Sequence, residues 1–223
     1  MIFYFSATGN SKYAAERIAS AAGDRTVFLR DAVRGRSYRY DVSREERIGF
    51  VFPVYFWGLP SILRFFVEKL ELTGYRDQYI YAVMTCGGST GGAADQLAGL
   101  LEKKGLSLSA QFGIPMVGNY VPMFKVVGPE EAEARLDAAE EYIDEAARAI
   151  RAKGLGDYNR CRDTASGAMT AVLYPLYAHG RSTKPFVVTD HCIGCGLCQE
   201  ICPCGAILIS GGRPAWIKPQ CVR

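Results

Sequence analysis

Six of the eight cysteines fall between Cys192 and Cys221, and four of these, Cys192, Cys195, Cys198 and Cys202, form a C-x2-C-x2-C-x3-C-P run closed by Pro203. The start, MIFYFSATGN, does not read as a secretory leader, and clustered thiolates in such a chain are expected to hold metal rather than form a disulfide framework. Three thiolates spaced by two residues can reach three irons of one cubane as the backbone wraps around it. Gly194 and Gly196 admit that tight wrapping and leave amides free to bond the sulfurs. Tetrahedral zinc normally takes two separated pairs of ligands, so the third closely spaced cysteine and the Cys-Pro step favour a 4Fe-4S cluster over zinc. In two-cluster proteins the cysteine before proline ligates the other cluster. Cys221 stands where a second run would begin, but the sequence stops at Arg223, so the C-terminal motif reads as cut short. The expectation is one cluster on Cys192, Cys195 and Cys198. Its fourth ligand is open among Cys202, Cys204 and Cys221, and a three-iron cluster is an alternative. A second cluster begun by Cys202 and Cys221 would lack two ligands.

A second constellation lies in the N-terminal half. Directly after an apolar run come Ser6-Ala7-Thr8-Gly9-Asn10-Ser11 and then a helical pattern. Small hydroxyl residues, a glycine and the unsatisfied N–H groups of a helix start suit a phosphate. Two further loops join it: Pro53-Val54-Tyr55-Phe56-Trp57-Gly58-Leu59-Pro60, which crowds three aromatic rings, and Thr85-Cys86-Gly87-Gly88-Ser89-Thr90-Gly91-Gly92, whose backbone can approach a ligand edge. All three follow strands, and ligands of open parallel sheets bind at the carboxyl ends of strands. Phosphate, stacking surface and backbone contacts together describe flavin mononucleotide, FMN. Asn119 and Tyr120, in Gly118-Asn119-Tyr120-Val121-Pro122, are further candidates to approach the flavin. Cys86 reads as a small buried hydrophobe, and Cys161, His179 and His191 have no motif around them.

The elements that must position these loops alternate between short β-branched or aromatic runs and longer helical segments, the pattern of parallel strands joined by crossover helices. Strands are expected at Ile2 to Phe5, Thr26 to Leu29, Ile48 to Phe52, Tyr79 to Met84 and within Leu106 to Met116. Helices are expected at Ser11 to Ala22, Pro60 to Leu70, Ala93 to Lys104 and Pro129 to Lys153. Arg25 to Arg47, rich in arginine, reads as an exposed, solvated connection. After Gly154 the rhythm stops. The expected organisation is an N-terminal flavin domain at 1–154, a linker at 155–182 that packs against one domain, and an iron-sulfur domain at 183–223, too small to fold without its metal.

The phosphate loop and the two ring loops resemble those of flavodoxins, and with the cysteine tail the chain resembles ferredoxin-flavodoxin fusion proteins over nearly its whole length. The resemblance implies an α/β fold: a flavodoxin-like, doubly wound, five-stranded parallel sheet with a small ferredoxin-like α+β domain. It also implies non-covalent FMN. By carry-over, Ser6, Thr8, Gly9, Asn10 and Ser11 would hold the phosphate, Tyr55 and Trp57 would flank the ring, and Gly58, Gly87, Gly88 and Ser89 would meet its polar edge, with Pro53, Phe56 and Thr85 in the same loops.

Hydrophobic residues make up 49% and charged residues 22% of the 223, which excludes collagen-like and disordered classes. A net charge of +3 is too small to argue for nucleic acid. The longest uncharged stretch of the C-terminal half, Ala165 to Gly180, is shorter than a bilayer span. The expected function is a cytoplasmic relay between FMN and a 4Fe-4S cluster, serving redox partner proteins or small electron acceptors. An electron carrier is favoured over a substrate-specific oxidoreductase because no nucleophile or acid-base pair stands out. The competing enzyme is an NAD(P)H-dependent flavin or quinone reductase with an accessory tail, and the non-redox alternative is a zinc-stabilised interaction module.

Overall fold

The computed structural model describes every residue except 121–124, 164–165, 180, 219–220 and 222–223. In chain order the elements are β1 (Ile2–Tyr4), α1 (Asn10–Ala22), β2 (Thr26–Phe28), α2 (Leu29–Arg34), β3 (Arg39–Asp41), β4 (Arg47–Pro53), α3 (Ser61–Lys69), β5 (Glu71–Thr73) and β6 (Tyr79–Cys86). They continue with α4 (Ala93–Glu102), β7 (Ala110–Pro115), α5 (Pro129–Arg151), β8 (Gly156–Tyr158), α6 (Ser166–His179), α7 (Leu197–Ile201), β9 (Ile207–Ser210) and β10 (Arg213–Trp216).

The main sheet has the order β2-β1-β4-β6-β7-β8, and every pairing in it is parallel. Its inner strands β1, β4 and β6 show no polar alternation because helices cover both faces. Phe3, Phe5, Phe50, Phe52 and Met84 pack with Leu63 and Phe66 of α3 and Leu97 and Leu101 of α4. On the opposite face Ile2, Tyr4, Val51, Tyr81 and Phe112 pack with Ile18 of α1 and Ile143 and Ile150 of α5. Helix α1 ends at Gly23, whose φ of 70° and N–H to the Ala19 carbonyl make the left-handed stop that glycine permits. Helix α5 opens with Pro129, Glu130 and Glu131 and closes with Arg148 and Arg151, in accord with its dipole.

The sheet has six strands rather than five. The sixth, β8, is an exposed Gly-Asp-Tyr edge that pairs with β7 from Ala110↔Gly156 to Phe112↔Tyr158, with the Tyr158 ring stacked on Phe112 at 5.0 Å. It lies in the stretch read as linker, and three residues with one aromatic ring are too short a run to show a period. The same stretch contains α6, with Pro175 inside it.

The arginine-rich connection also differs from expectation. It contains α2 and β3, and β3 pairs in parallel with β5 as a separate two-stranded sheet. Arg30 and Arg34 of α2 donate to the Glu200 and Gln199 carbonyls at the end of α7, at 3.4 and 3.0 Å. Guanidinium groups there satisfy orphan carbonyls and oppose the helix dipole. Arg47 is nearly buried between Asp24 (3.2 Å) and the Ala22 carbonyl (2.7 Å). These arginines position structure. The C-terminal segment itself is α7 plus the antiparallel hairpin β9-β10, and Cys204 packs against the core face lined by α3 and α4. Among the described residues no helix is long and apolar enough to cross a membrane.

Candidate functional site

The loops after β1, β4, β6 and β7 gather at the carboxyl edge of the main sheet. In the first, the Gly9 N–H donates to Ser6 Oγ at 3.1 Å, and Gly9 takes a φ of 113° as it enters α1. No side chain caps α1, so its first-turn N–H groups face outward from an exposed Thr8-Gly9 pair. The other polar side chains here are already engaged. Asn10 Nδ2 donates to the Val117 carbonyl at 3.0 Å, Ser11 Oγ shares a buried 2.7 Å hydrogen bond with Thr85 Oγ1, and Asn119 Nδ2 donates to Thr8 Oγ1. What this loop offers an anion is therefore mainly backbone N–H, with Ser11, Thr85 and Asn10 clamping neighbouring loops together. Val121 and Pro122 lie outside the described residues.

The second loop makes a tight turn. Tyr55 and Gly58 exchange two backbone hydrogen bonds of 3.0 Å, and the central residues, Phe56 and Trp57, sit at φ 47° and 59°. Two positive φ values define a primed turn, ordinarily built from Asn-Gly, and bulky residues there carry strain of about 1–2 kcal/mol each. Such strain concentrates at ligand sites. Phe56 stacks on Tyr177 of α6 (5.5 Å, 21°) and meets Tyr120 edge-on at 5.6 Å. Tyr55 meets Phe5 and Tyr177 edge-on. Of the three loop aromatics, Trp57 alone makes no ring pair among the described residues, and it is half-buried. Its carbonyl accepts from the Gly92 N–H (3.0 Å) and from Thr170 Oγ1 (2.8 Å), which ties the turn to the third loop and to α6.

In the third loop Gly87 and Gly88 are exposed. A Cβ at Gly88 would meet nothing within 4 Å, and one at Gly87 would lie 3.3 Å from Gly118 Cα. Ser89 Oγ accepts the Gly91 N–H at 3.2 Å. An uncapped helix start, an indole with no ring pair among the described residues and an open glycine backbone fit the phosphate, ring and polar edge of FMN.

The cysteine segment places Cys195 between Gly194 (φ 68°) and Gly196 (φ 80°), a double left-handed path that other residues adopt only with strain. A side chain at Gly194 would strike the Gly212 carbonyl at 2.6 Å, so the β9-β10 turn is fitted against this loop. Cys198 lies in α7 and Cys202 just past it, with Cys202 Sγ accepting the Ala206 N–H at 3.2 Å. An amide aimed at sulfur is the contact that supports a ligating thiolate. Cys195 and Cys204 line one cavity of about 660 Å³ together with Arg34, Glu200 and Lys218. Cys221 is anchored through its backbone: its N–H donates to the Arg181 carbonyl at 2.8 Å and its carbonyl accepts from Arg181 Nη1 at 3.1 Å. Among the described residues no three His, Cys, Asp or Glu side chains converge on a single ion, whereas a cubane takes thiolates spread around it, one per iron. Thiolates are the donors that a 4Fe-4S cluster takes, so the chemistry of the run Cys192, Cys195, Cys198 and Cys202 fits one, and the fourth position stays open among Cys202, Cys204 and Cys221.

Sequence reasoning missed Thr170, Tyr174, Tyr177 and Arg181, which join α6 to the aromatic turn. The Tyr174 hydroxyl donates to the Leu59 carbonyl at 2.7 Å. Arg181 lies over the Tyr177 ring at 4.6 Å and donates to Ser61 Oγ at 2.6 Å. Burial pushes the Tyr177 phenol up to about 12, with Arg181 and Ser61 opposing. The uncharged run around Met169 to Tyr177 was the available signal.

The flavodoxin domain family model matches residues 1–112, and the 4Fe-4S binding domain model matches residues 185–208. No curated protein matches the chain. Similar solved structures include the NAD(P)H:quinone oxidoreductase from Methanothermobacter marburgensis, at 14% identity over 70% of this chain and 95% of that one with a TM-score of 0.45. An azoreductase from Bacillus anthracis is 14% identical over 68% and 98%, TM-score 0.42. The Trp repressor binding protein from Bacillus subtilis is 16% identical over 64% and 96%, TM-score 0.40. At these values their activities carry no weight here. The two domain matches support a flavin and iron-sulfur redox role. The chain belongs to the flavodoxin domain family and carries a 4Fe-4S binding domain after that fold.

Proposed function

We propose that this protein is a cytoplasmic electron-transfer protein that holds FMN at the carboxyl edge of its main sheet and one 4Fe-4S cluster on the cysteine run, relaying electrons to partner proteins or small acceptors. Bound FMN supplies chemistry in single or paired electrons and the cluster in single electrons, so the pair converts between the two. The division into a flavin domain at 1–154, a connecting stretch at 155–182 and a cluster domain at 183–223 is part of the same reading.

The supporting observation is a contiguous line of contacts from the aromatic turn into the cysteine segment. Phe56 stacks on Tyr177, Arg181 covers Tyr177, and Arg181 binds both Ser61, which begins α3 just past the turn, and the backbone of Cys221. On the far side Arg30 and Arg34 dock α7. The α1 N–H groups with Ser6, Thr8 and Gly9 orient the phosphate, and Trp57 covers the ring. Gly87, Gly88 and Ser89 meet its polar edge. Ser11, Thr85 and Asn10 fix the spacing of these loops, while Tyr55, Phe56 and Pro53 hold the turn and Tyr177 shields its inner side from water. In the cluster half Gly194 and Gly196 let the backbone wrap Cys192, Cys195 and Cys198, and the Ala206 amide supports Cys202.

The test is FMN titration of a Thr8→Ala plus Trp57→Ala variant by flavin fluorescence. Loss of one stacked ring and one hydroxyl corresponds to a weakening of about tenfold or more. Unchanged affinity removes the assignment.

A further inference from the structure

The cavity beside Cys195 belongs to the cluster site, and the exposed apolar stripes on α6 and α7 have nothing seated on them. A third feature lies outside both sites. Cys86 closes β6 and is buried, and Cys161 lies just past β8 and is half-buried. They are distant in sequence, yet the turn at 159–161 is built into the end of the sheet. Asn159 Nδ2 donates to Thr90 Oγ1 at 2.7 Å, the Cys161 N–H donates to Asn159 Oδ1 at 3.0 Å, and the Thr90 N–H donates to the Cys161 carbonyl at 3.1 Å. Gly113 makes the room: a Cβ there would lie 2.1 Å from Asn159 Oδ1 and 3.1 Å from Cys161 Cβ. In the sheet register Gly113 pairs with Met84 and Pro115 with Cys86, so the turn carries Cys161 to the Cys86 side chain. Register partners share a face, so Cys161, packed over Gly113, lies on the sheet face that Met84 and Cys86 present at the end of β6.

We propose that Cys86 and Cys161 are a dithiol that closes reversibly to a disulfide by exchange with a small-molecule disulfide of the glutathione class. The Cys161 thiolate attacks one sulfur of the oxidised glutathione, the glutathione S–S bond breaks, and one glutathione thiolate leaves. Cys86 then releases its proton to solvent and attacks the Cys161 sulfur, expelling the second thiolate. Two protein thiols and one glutathione disulfide become one protein disulfide and two glutathione thiols. The order follows from access and electrostatics. Cys161 is the more exposed, and the hydrogen bond from Cys86 lowers its thiol below the ordinary value. For Cys86 that contact, with burial, pushes the thiol up, so it is the resolving group. Closure fastens the 159–161 turn to the strand end from which the glycine loop springs.

The test uses the full chain, purified anaerobically and equilibrated with oxidised glutathione, followed by alkylation of free thiols and peptide mass mapping. The expected product is a peptide pair linked through Cys86 and Cys161, returned to two alkylatable thiols by dithiothreitol. In Cys86→Ser, Cys161 retains glutathione instead. A stable glutathione adduct on Cys161 of the unmodified sequence overturns the proposal, and so does alkylation of both thiols after glutathione has reacted elsewhere on the chain. The unmodified sequence decides the matter by itself, so the result does not hang on how well the variant folds.

Discussion

Gly58→Ala is a sharp probe of whether α6 is seated on the aromatic turn. A Cβ at position 58 would lie 2.3 Å from Tyr174 Cδ2, 2.5 Å from Tyr174 Cε2 and 2.8 Å from Gln96 Oε1. None of these can easily retreat. The Tyr174 hydroxyl is bonded to the Leu59 carbonyl at 2.7 Å, Gln96 Oε1 accepts the Leu59 N–H at 2.9 Å, and Arg64 lies over the Tyr174 ring at 5.7 Å. Forcing a methyl into that contact costs about 1–3 kcal/mol of overpacking, and losing the tyrosine hydrogen bond adds about 1 kcal/mol. For a chain of this size the total is a fall in Tm of about 5–15 °C. The assay is thermal and urea unfolding of the single variants and the Gly58→Ala plus Tyr174→Ala double variant. With the ring removed, the glycine substitution should cost less than about 1 kcal/mol, leaving a coupling of about 2 kcal/mol. An undiminished Gly58→Ala penalty in the Tyr174→Ala background refutes the packing, as does a Gly58→Ala protein as stable as the unmodified one.

Other perturbations follow from single contacts. The Tyr79 phenol donates to the Gly154 carbonyl at 2.7 Å, and burial, with Tyr158 nearby, pushes it up to about 12, as burial does for Tyr177. Between pH 10 and 12 the folded state therefore binds more protons than the unfolded one, so stability holds below about 10 and falls as pH rises through about 12. Urea midpoints against pH should show that fall, and Tyr79→Phe should reduce it. Asp24→Ala removes the buried carboxylate facing Arg47, whose side chain is 13% exposed, leaves it the Ala22 carbonyl and the exposed Glu46, and should cost about 2 kcal/mol in urea unfolding. The Arg30→Ala plus Arg34→Ala pair should leave the flavin half as stable as before and raise protease cleavage of the cysteine segment, because about 1 kcal/mol of docking is lost per hydrogen bond.

The parts that sequence patterns revealed are those where burial or covalent chemistry dictates residue type. Ile2 to Phe5, Ile48 to Phe52 and Tyr79 to Met84 are apolar on both faces because helices cover both, and the C-x2-C-x2-C-x3-C-P spacing is fixed by what it must wrap. Edges and dockings are less legible. Strand β8 is Gly-Asp-Tyr, held by backbone hydrogen bonds that any sequence can make and by one ring, Tyr158 on Phe112, too little to set a period. Helix α6 is apolar without a repeating face, and its anchors, Thr170 and Tyr174, bind backbone carbonyls of a turn remote in sequence. Nothing in Phe56-Trp57 announces a primed turn, since its usual marker is Asn-Gly. Arg30 and Arg34 look like ordinary surface charge until α7 presents its carbonyls. The meeting of Cys86 and Cys161 depends on an absent side chain, at Gly113, as much as on either cysteine.

The most direct measurement is the composition of the anaerobically purified chain: FMN, iron, sulfide and zinc per polypeptide, with the visible spectrum of the same sample. The account predicts one FMN and about four irons with matching sulfide, flavin bands overlying broad cluster absorption, and no zinc. Zinc without iron, or a chain that binds no flavin when FMN is added, contradicts it.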